Sequence, residues 1–180
     1  MCPYICAVVD LLLLFPLTLL LSGLIAFVFA ARLLKRKFSA VFWCGLLMLA
    51  AANWATAYGF QLFSSQPEGI KFWVAIQYLS IATIPVIWII FCLKLTGRDK
   101  WLRARHVLLL FAVPLLTLFL HISNEYHHFY YSDVSFIRNG PLAQMKIEPG
   151  PWYKIHTLFF YGLLAWGLVL LVSSLKSAGK

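Results

Sequence analysis

Long apolar runs alternate with short polar breaks along the whole chain. The most decisive run is Phe72 to Leu93, 22 residues without a charge. At about 1.5 Å per residue it reaches roughly 33 Å, enough for a hydrocarbon core of about 30 Å. Lys71 and Lys94 close it at the two ends, where long cationic stems can snorkel to headgroups. The full pattern predicts five membrane-spanning helices, over about 7–31, 40–63, 72–95, 105–121 and 152–175. Pro16, Pro85 and Pro114 fall inside the first, third and fourth, and are expected to bend them. Ala51, Ala55 and Gly59 form a small-residue stripe in the second, a surface on which helix backbones can approach closely. The short turn at 64–69 makes spans two and three antiparallel neighbours. The long polar stretch is the loop 122–151. Within it Val134–Ile137 and Ala143–Ile147 flank Arg138-Asn139-Gly140-Pro141, a hairpin signal that Pro141 weakens for the second strand. The expected fold class is all-α: a polytopic transmembrane helical bundle, one domain over 1–180, with a small extracellular hairpin or lid between spans four and five.

Composition supports this class and excludes others. Of 180 residues 62% are apolar and 12% charged, far from a soluble domain. The net charge of +9 is not a nucleic-acid signal, because the basic residues cluster between spans. The expected partner of that charge is the lipid bilayer, with no nucleic acid. Eleven Lys and Arg follow spans one, three and five, and four lie in the other breaks. The positive-inside rule then puts the amino terminus outside and the carboxyl terminus inside. The residues before Ala7 carry no Lys or Arg, unlike a secretory signal. Cys44 and Cys92 lie in spans as small apolar fillers. Cys2 and Cys6 are open to pairing or lipidation, though free thiols are the plainer reading.

Candidate chemistry concentrates at one end. Asn124, Glu125, Tyr126, His127 and His128 lie in the loop, with His121 before them and Tyr153 and His156 after. Asn124, His127, His128, Tyr153 and His156 are the ligand-sensing candidates. Imidazoles with a carboxylate can titrate near neutral pH or hold zinc, and the rings can cradle an apolar or cationic ligand. The plainer reading is a set of solvated interfacial residues. Whether a metal binds is left open by the spacing. Asn53 and Gln77 are polar positions within spans, placed to line a cavity with Tyr58 and Tyr78 or to bond helix to helix. No triad, phosphate loop or HExxH helix is present, so neither enzyme activity nor a cofactor is expected. A small transporter or channel component with Asn53 and Gln77 on a polar path, and a membrane protein with a His-rich metal site, are the alternatives to a sensor.

Span two carries Ala52-Asn53-Trp54-Ala55-Thr56-Ala57-Tyr58. Span three carries Lys71-Phe72-Trp73, Gln77-Tyr78-Leu79-Ser80-Ile81, Pro85-Val86-Ile87-Trp88 and Phe91, then Leu95-Thr96-Gly97 and Trp101-Leu102. Pro114, Thr117, Asn124 with His127, Gly150-Pro151-Trp152-Tyr153, His156 and Tyr161 continue the series. This ordered series of short motifs resembles the amino-terminal seven-transmembrane sensory region of bacterial histidine kinases, also found on some diguanylate cyclases. The resemblance implies a signal-transduction receptor of the bacterial plasma membrane, answering an unknown small ligand or envelope signal. It also implies a cytosolic kinase or cyclase output module as partner, and a homodimer. The family pattern has seven spans followed by that module. This chain has five, and reads as truncated: an incomplete product or a natural short relative.

Overall fold

The structure is a computed structural model that describes residues 3–36, 40–139 and 142–178. A Cys2–Cys6 pairing and the turn at Gly140-Pro141 lie outside the described residues, as do Lys37 and Lys180. The helices are α1 (Pro3–Leu33), α2 (Ala40–Phe63), α3 (Pro67–Leu95), α4 (Ala104–Ile122), the single turn α5 (Asn124–His127) and α6 (Pro151–Ala178). Strands β1 (Tyr131–Asn139) and β2 (Leu142–Pro149) form an antiparallel ribbon between α5 and α6. Five helices among the described residues are long and apolar enough to cross a membrane, within the expected spans to a few residues. The chain is a multi-pass membrane protein.

The central helix is α3. In its most apolar window 61% of residues are buried, against no more than 22% in the other four spans. It begins at Pro67, five residues earlier than the apolar run. Proline suits the first helical position because its missing N–H has no intrahelical partner there, and Glu68 in the first turn favours the helix dipole. At its far end Thr96 Oγ1 bonds the Cys92 carbonyl at 2.8 Å, and Gly97, at φ +68°, takes the left-handed conformation that ends the helix. Prolines 16, 85 and 114 interrupt none of their helices, and all three are fully buried in packed contacts.

The α1–α2 contact differs from the expected stripe. Ala51 is exposed, whereas Ala52 and Gly59 are buried. A Cβ on Gly23 of α1 would meet Thr56 Oγ1 at 2.3 Å and the Ala52 carbonyl at 3.2 Å. One on Gly59 would meet the Leu20 side chain at 2.9 Å. The close approach therefore runs through 52, 56 and 59, one face of α2 at four- and three-residue spacing. Between α3 and α6, Trp88 lies over Gly167, and its Nε1 donates to the Leu164 carbonyl at 3.3 Å.

Apolar packing forms two zones along α3. One joins Val86, Ile89, Ile90 and Leu93 to Leu163 and Leu170 of α6. The other joins Ile70, Val74 and Tyr78 to Tyr130 and Tyr131, with the ribbon packed on it. The pairs Val134↔Ile147 and Phe136↔Met145 face this second zone, and Ser135↔Lys146 faces away. The register slips between Tyr131 and Asp133, leaving Ser132 as an extra residue. This bulge shifts the strand phase by one, so Tyr131, Val134 and Phe136 share the inner face.

Candidate functional site

At the ribbon end of the bundle a chain of ring contacts joins α3, α4, β1 and α6. The His121 ring stacks on Tyr78 at 3.9 Å between centroids. Tyr130 meets Tyr78 edge to face at 5.3 Å and Tyr131 at 4.9 Å. The Tyr131 hydroxyl donates to that of Tyr78 at 2.6 Å. Burial first, and proximity to Tyr78 second, push the Tyr130 and Tyr131 hydroxyls well above the ordinary phenol range. Both stay neutral at any physiological pH.

Two cavities border these rings. The larger, about 600 Å³, lies under the ribbon, between the start of α3, the end of α4 and α5. Its inner lining includes Val74, Ala75, His121 and Tyr131, and Glu68, Lys71, Glu125, His128 and Asp133 bring charge and polarity to it. Lys71 Nζ donates to Glu125 Oε1 at 2.6 Å, joining α3 to α5 across 54 positions of sequence. That hydrogen bond first, and the ammonium charge second, hold the Glu125 carboxyl below the usual carboxylate range. The smaller cavity, about 360 Å³, lies between α2, α3 and α6 and includes Tyr78, Tyr130, Tyr153 and His156 in its lining.

The five ligand-sensing candidates do not converge on one point. Asn124 is buried, and its amide is committed to backbone. Oδ1 accepts from the Tyr130 and Tyr131 amides, both at 2.9 Å, and Nδ2 donates to the Tyr131 carbonyl at 3.0 Å. His127 is also tied locally: Nδ1 accepts from the Phe129 amide at 3.0 Å, and Nε2 bonds Ser123 Oγ at 3.0 Å. These two shape the turn that launches the ribbon. His128, in the left-handed conformation at φ 54°, is exposed and borders the larger cavity. Tyr153 and His156 border the smaller one. His121 Nδ1 and His156 Nε2 are buried without a hydrogen-bond partner.

The His-rich metal alternative finds no cluster, because no three His, Cys, Asp or Glu side chains among the described residues come together to hold an ion. The imidazoles are instead spread over both ends of α4, the α5 turn with His128 after it, and α6. Asn53 and Gln77 tie α2 to α3. Asn53 Nδ2 donates to the Ile76 carbonyl at 2.9 Å and to Ser80 Oγ at 2.7 Å, and Gln77 Nε2 to Gln61 Oε1 at 2.6 Å. Neither is among the described residues that border the two cavities.

Sequence reasoning did not single out Glu68, Lys71, Asp133, Tyr130 or Tyr131 as site residues. The available signal was the Tyr130-Tyr131 pair, but its inward face depends on the bulge at Ser132. Comparison with known proteins adds one match. The family described as the N-terminal 7TM region of histidine kinase matches residues 17–180. No curated protein and no solved structure was found to match the chain.

Proposed function

We propose, for a chain that belongs to the family of N-terminal 7TM regions of histidine kinases, a role as the membrane-embedded input region of a sensory receptor. The ribbon end faces outward in the bacterial plasma membrane, and the Lys- and Arg-rich end faces the cytosol. The charge distribution supports this orientation. The region proposed here takes in the signal and leaves phosphoryl chemistry to an output module. That chemistry belongs to a cytosolic kinase module, with a cyclase module as the alternative form and a homodimer as the working assembly.

The observation that carries the reading is the larger cavity. Its size falls within the usual range for small-molecule sites, about 300–1,000 Å³. Its lining is built from the start of α3, the end of α4, α5 and the ribbon, and α3 continues through the bundle to the basic end. A small ligand or envelope signal felt there acts on the one helix that packs against α2, α4 and α6. To signal, it must favour one of two packings by differential affinity. An apolar interior with charges of both signs suits an amphipathic molecule.

The test joins the chain to a histidine-kinase module and fills the cavity with Ala75→Trp. Autophosphorylation is expected to hold at one level across media of varied pH, ions and amphiphiles, with membrane insertion intact. A variant that responds as the parent does would remove this cavity from the mechanism.

A further inference from the structure

We propose that a groove between α4 and α6, at the Lys- and Arg-rich end of the bundle, binds an anionic phospholipid. An acyl chain lies in the groove and the phosphate sits among the cations at its mouth. The proposal requires only that the chain spans a membrane. It stands apart from the signalling role and from which leaflet this end faces. The groove holds about 330 Å³. Its floor is Ile89 and Leu93 of α3, with Leu110 of α4 and Phe159 of α6 in its walls. Phe159 and Trp166 lie two turns apart on α6, so it runs about 10 Å along the bundle axis. Leu109 and Trp166 of the same lining are exposed, so the groove opens sideways to the lipid tails. An apolar groove of that direction fits a hydrocarbon chain lying parallel to the helices.

The mouth decides which lipid. His106 is the one ionisable residue of the lining, and both its ring nitrogens are engaged. Nδ1 donates to the Trp101 carbonyl at 3.0 Å, so Nε2 is free to accept from Arg105 Nε at 3.3 Å. These bonds hold the Arg105 guanidinium at the α4 side of the mouth. On the α6 side, Arg98 Nη2 donates to Ser173 Oγ at 3.3 Å, two turns beyond Trp166. Residues 98–105 carry four cations, Arg98, Lys100, Arg103 and Arg105, against one acid, Asp99. Among the described side chains, none of these four pairs with a carboxylate. The start of α4 has no acid in its first turn and no side-chain cap, so its dipole adds to the positive potential. A headgroup of net negative charge complements this mouth. In a zwitterionic headgroup the ammonium offsets the phosphate. Trp101, edge to face with Trp166 at 6.2 Å, suits the interfacial depth that a headgroup occupies.

The test uses the whole chain in phosphatidylcholine nanodiscs. These carry phosphatidylglycerol or phosphatidylcholine with a photoactivatable diazirine in the acyl chain, and adducts are mapped by peptide mass spectrometry. Phe29, exposed on α1 just before Arg32, Lys35 and Arg36, is the reference for diffuse attraction. The ratio of phosphatidylglycerol to phosphatidylcholine adducts at Phe159 is expected to exceed that at Phe29 by about fivefold, the scale of one cation beside an anionic lipid. Arg103→Gln with Arg105→Gln should bring the two ratios together and leave the one at Phe29 unchanged. Leu110→Trp, which fills the groove, should remove adducts of both lipids from Phe159 and keep those at Phe29. Inorganic phosphate should displace neither lipid. Equal ratios at Phe159 and Phe29 in the parent would overturn the proposal. So would a preference that survives the paired Arg changes, or Phe159 adducts that persist in Leu110→Trp or yield to inorganic phosphate.

Discussion

The hydroxyl of Tyr131, on the ribbon, donates to the hydroxyl of Tyr78, in the central helix, at 2.6 Å across 53 positions of sequence. Tyr131 borders the larger cavity and Tyr78 the smaller, so this bond ties the two linings together through one pair of side chains. Tyr131→Phe keeps the ring and removes the donor. It is expected to lower stability by about 1 kcal/mol, read as a fall in the thermal midpoint in detergent, with the ring packing retained.

Asn124 is the pin of the ribbon. Asn124→Ala removes three hydrogen bonds and strands two buried amides, a loss of about 2–4 kcal/mol. Hydrogen exchange should show fast amides at Tyr130 and Tyr131, with α2 and the lower half of α3 still protected. Uniform exchange across the chain would mean that the ribbon and bundle unfold together.

Gly150 permits the ribbon to meet α6. A Cβ there would lie 2.4 Å from the Phe129 carbonyl oxygen and 2.8 Å from that of Tyr130, both backbone. The same place carries the Gly150 amide bond to Tyr130 and the Trp152 amide bond to Phe129. Gly150→Ala should therefore release the start of α6 from the ribbon, seen as lost protection at both amides. Normal protection would show that the backbone can give way there.

The Lys71–Glu125 pair has a defined pH sign. A carboxyl held below its ordinary value favours the paired form above that ordinary value, and the pairing is lost as pH falls through the lowered one. Both side chains are half-exposed or more, so the effect on stability is small and screened by salt. The difference infrared spectrum between the parent and Glu125→Gln should place the carboxylate titration below the ordinary glutamate value at low salt, moving upward in Lys71→Met. An unshifted titration in Lys71→Met would show that the pair does not form in solution.

Asn53 ties α2 to α3 through the Ile76 carbonyl and Ser80. Asn53→Leu should cost about 0.6–2 kcal/mol, the range for interhelical hydrogen bonds in membranes, measured by steric-trap or detergent unfolding. No loss would make the contact incidental.

The spans were legible because twenty apolar residues in a row have few other uses. The hub was less legible, since the charge-free stretch Phe38–Pro67 around α2 is longer than that of α3, and it is burial in the packed bundle that sets α3 apart. The hairpin was legible in the runs Val134–Ile137 and Ala143–Ile147, while its register depends on the Ser132 bulge and the packing on α3. The site was legible only as a region. Asn124 and His127 look like ligand groups in a polar loop, yet backbone amides brought over by the turn and the Ser132 bulge use up their hydrogen-bonding atoms. Lys71 and Glu125, 54 positions apart, meet only once α3 and α5 are placed. The choice of Ala52 over Ala51 depends on the rotation of α2 against α1, which uniformly apolar helices barely encode. Unpaired nitrogens on His121 and His156 are a property of the packed state alone.

The central claim is an outward-facing ribbon end coupled through α3 to a cytosolic end. The most direct measurement is labelling of intact cells with a membrane-impermeant maleimide, in a background with the four native cysteines replaced by alanine. Ser135→Cys on the exposed face of β1 should label in intact cells, and Lys100→Cys, after α3, only once the membrane is opened. A ribbon cysteine protected in intact cells, with Lys100→Cys labelled, would contradict the account.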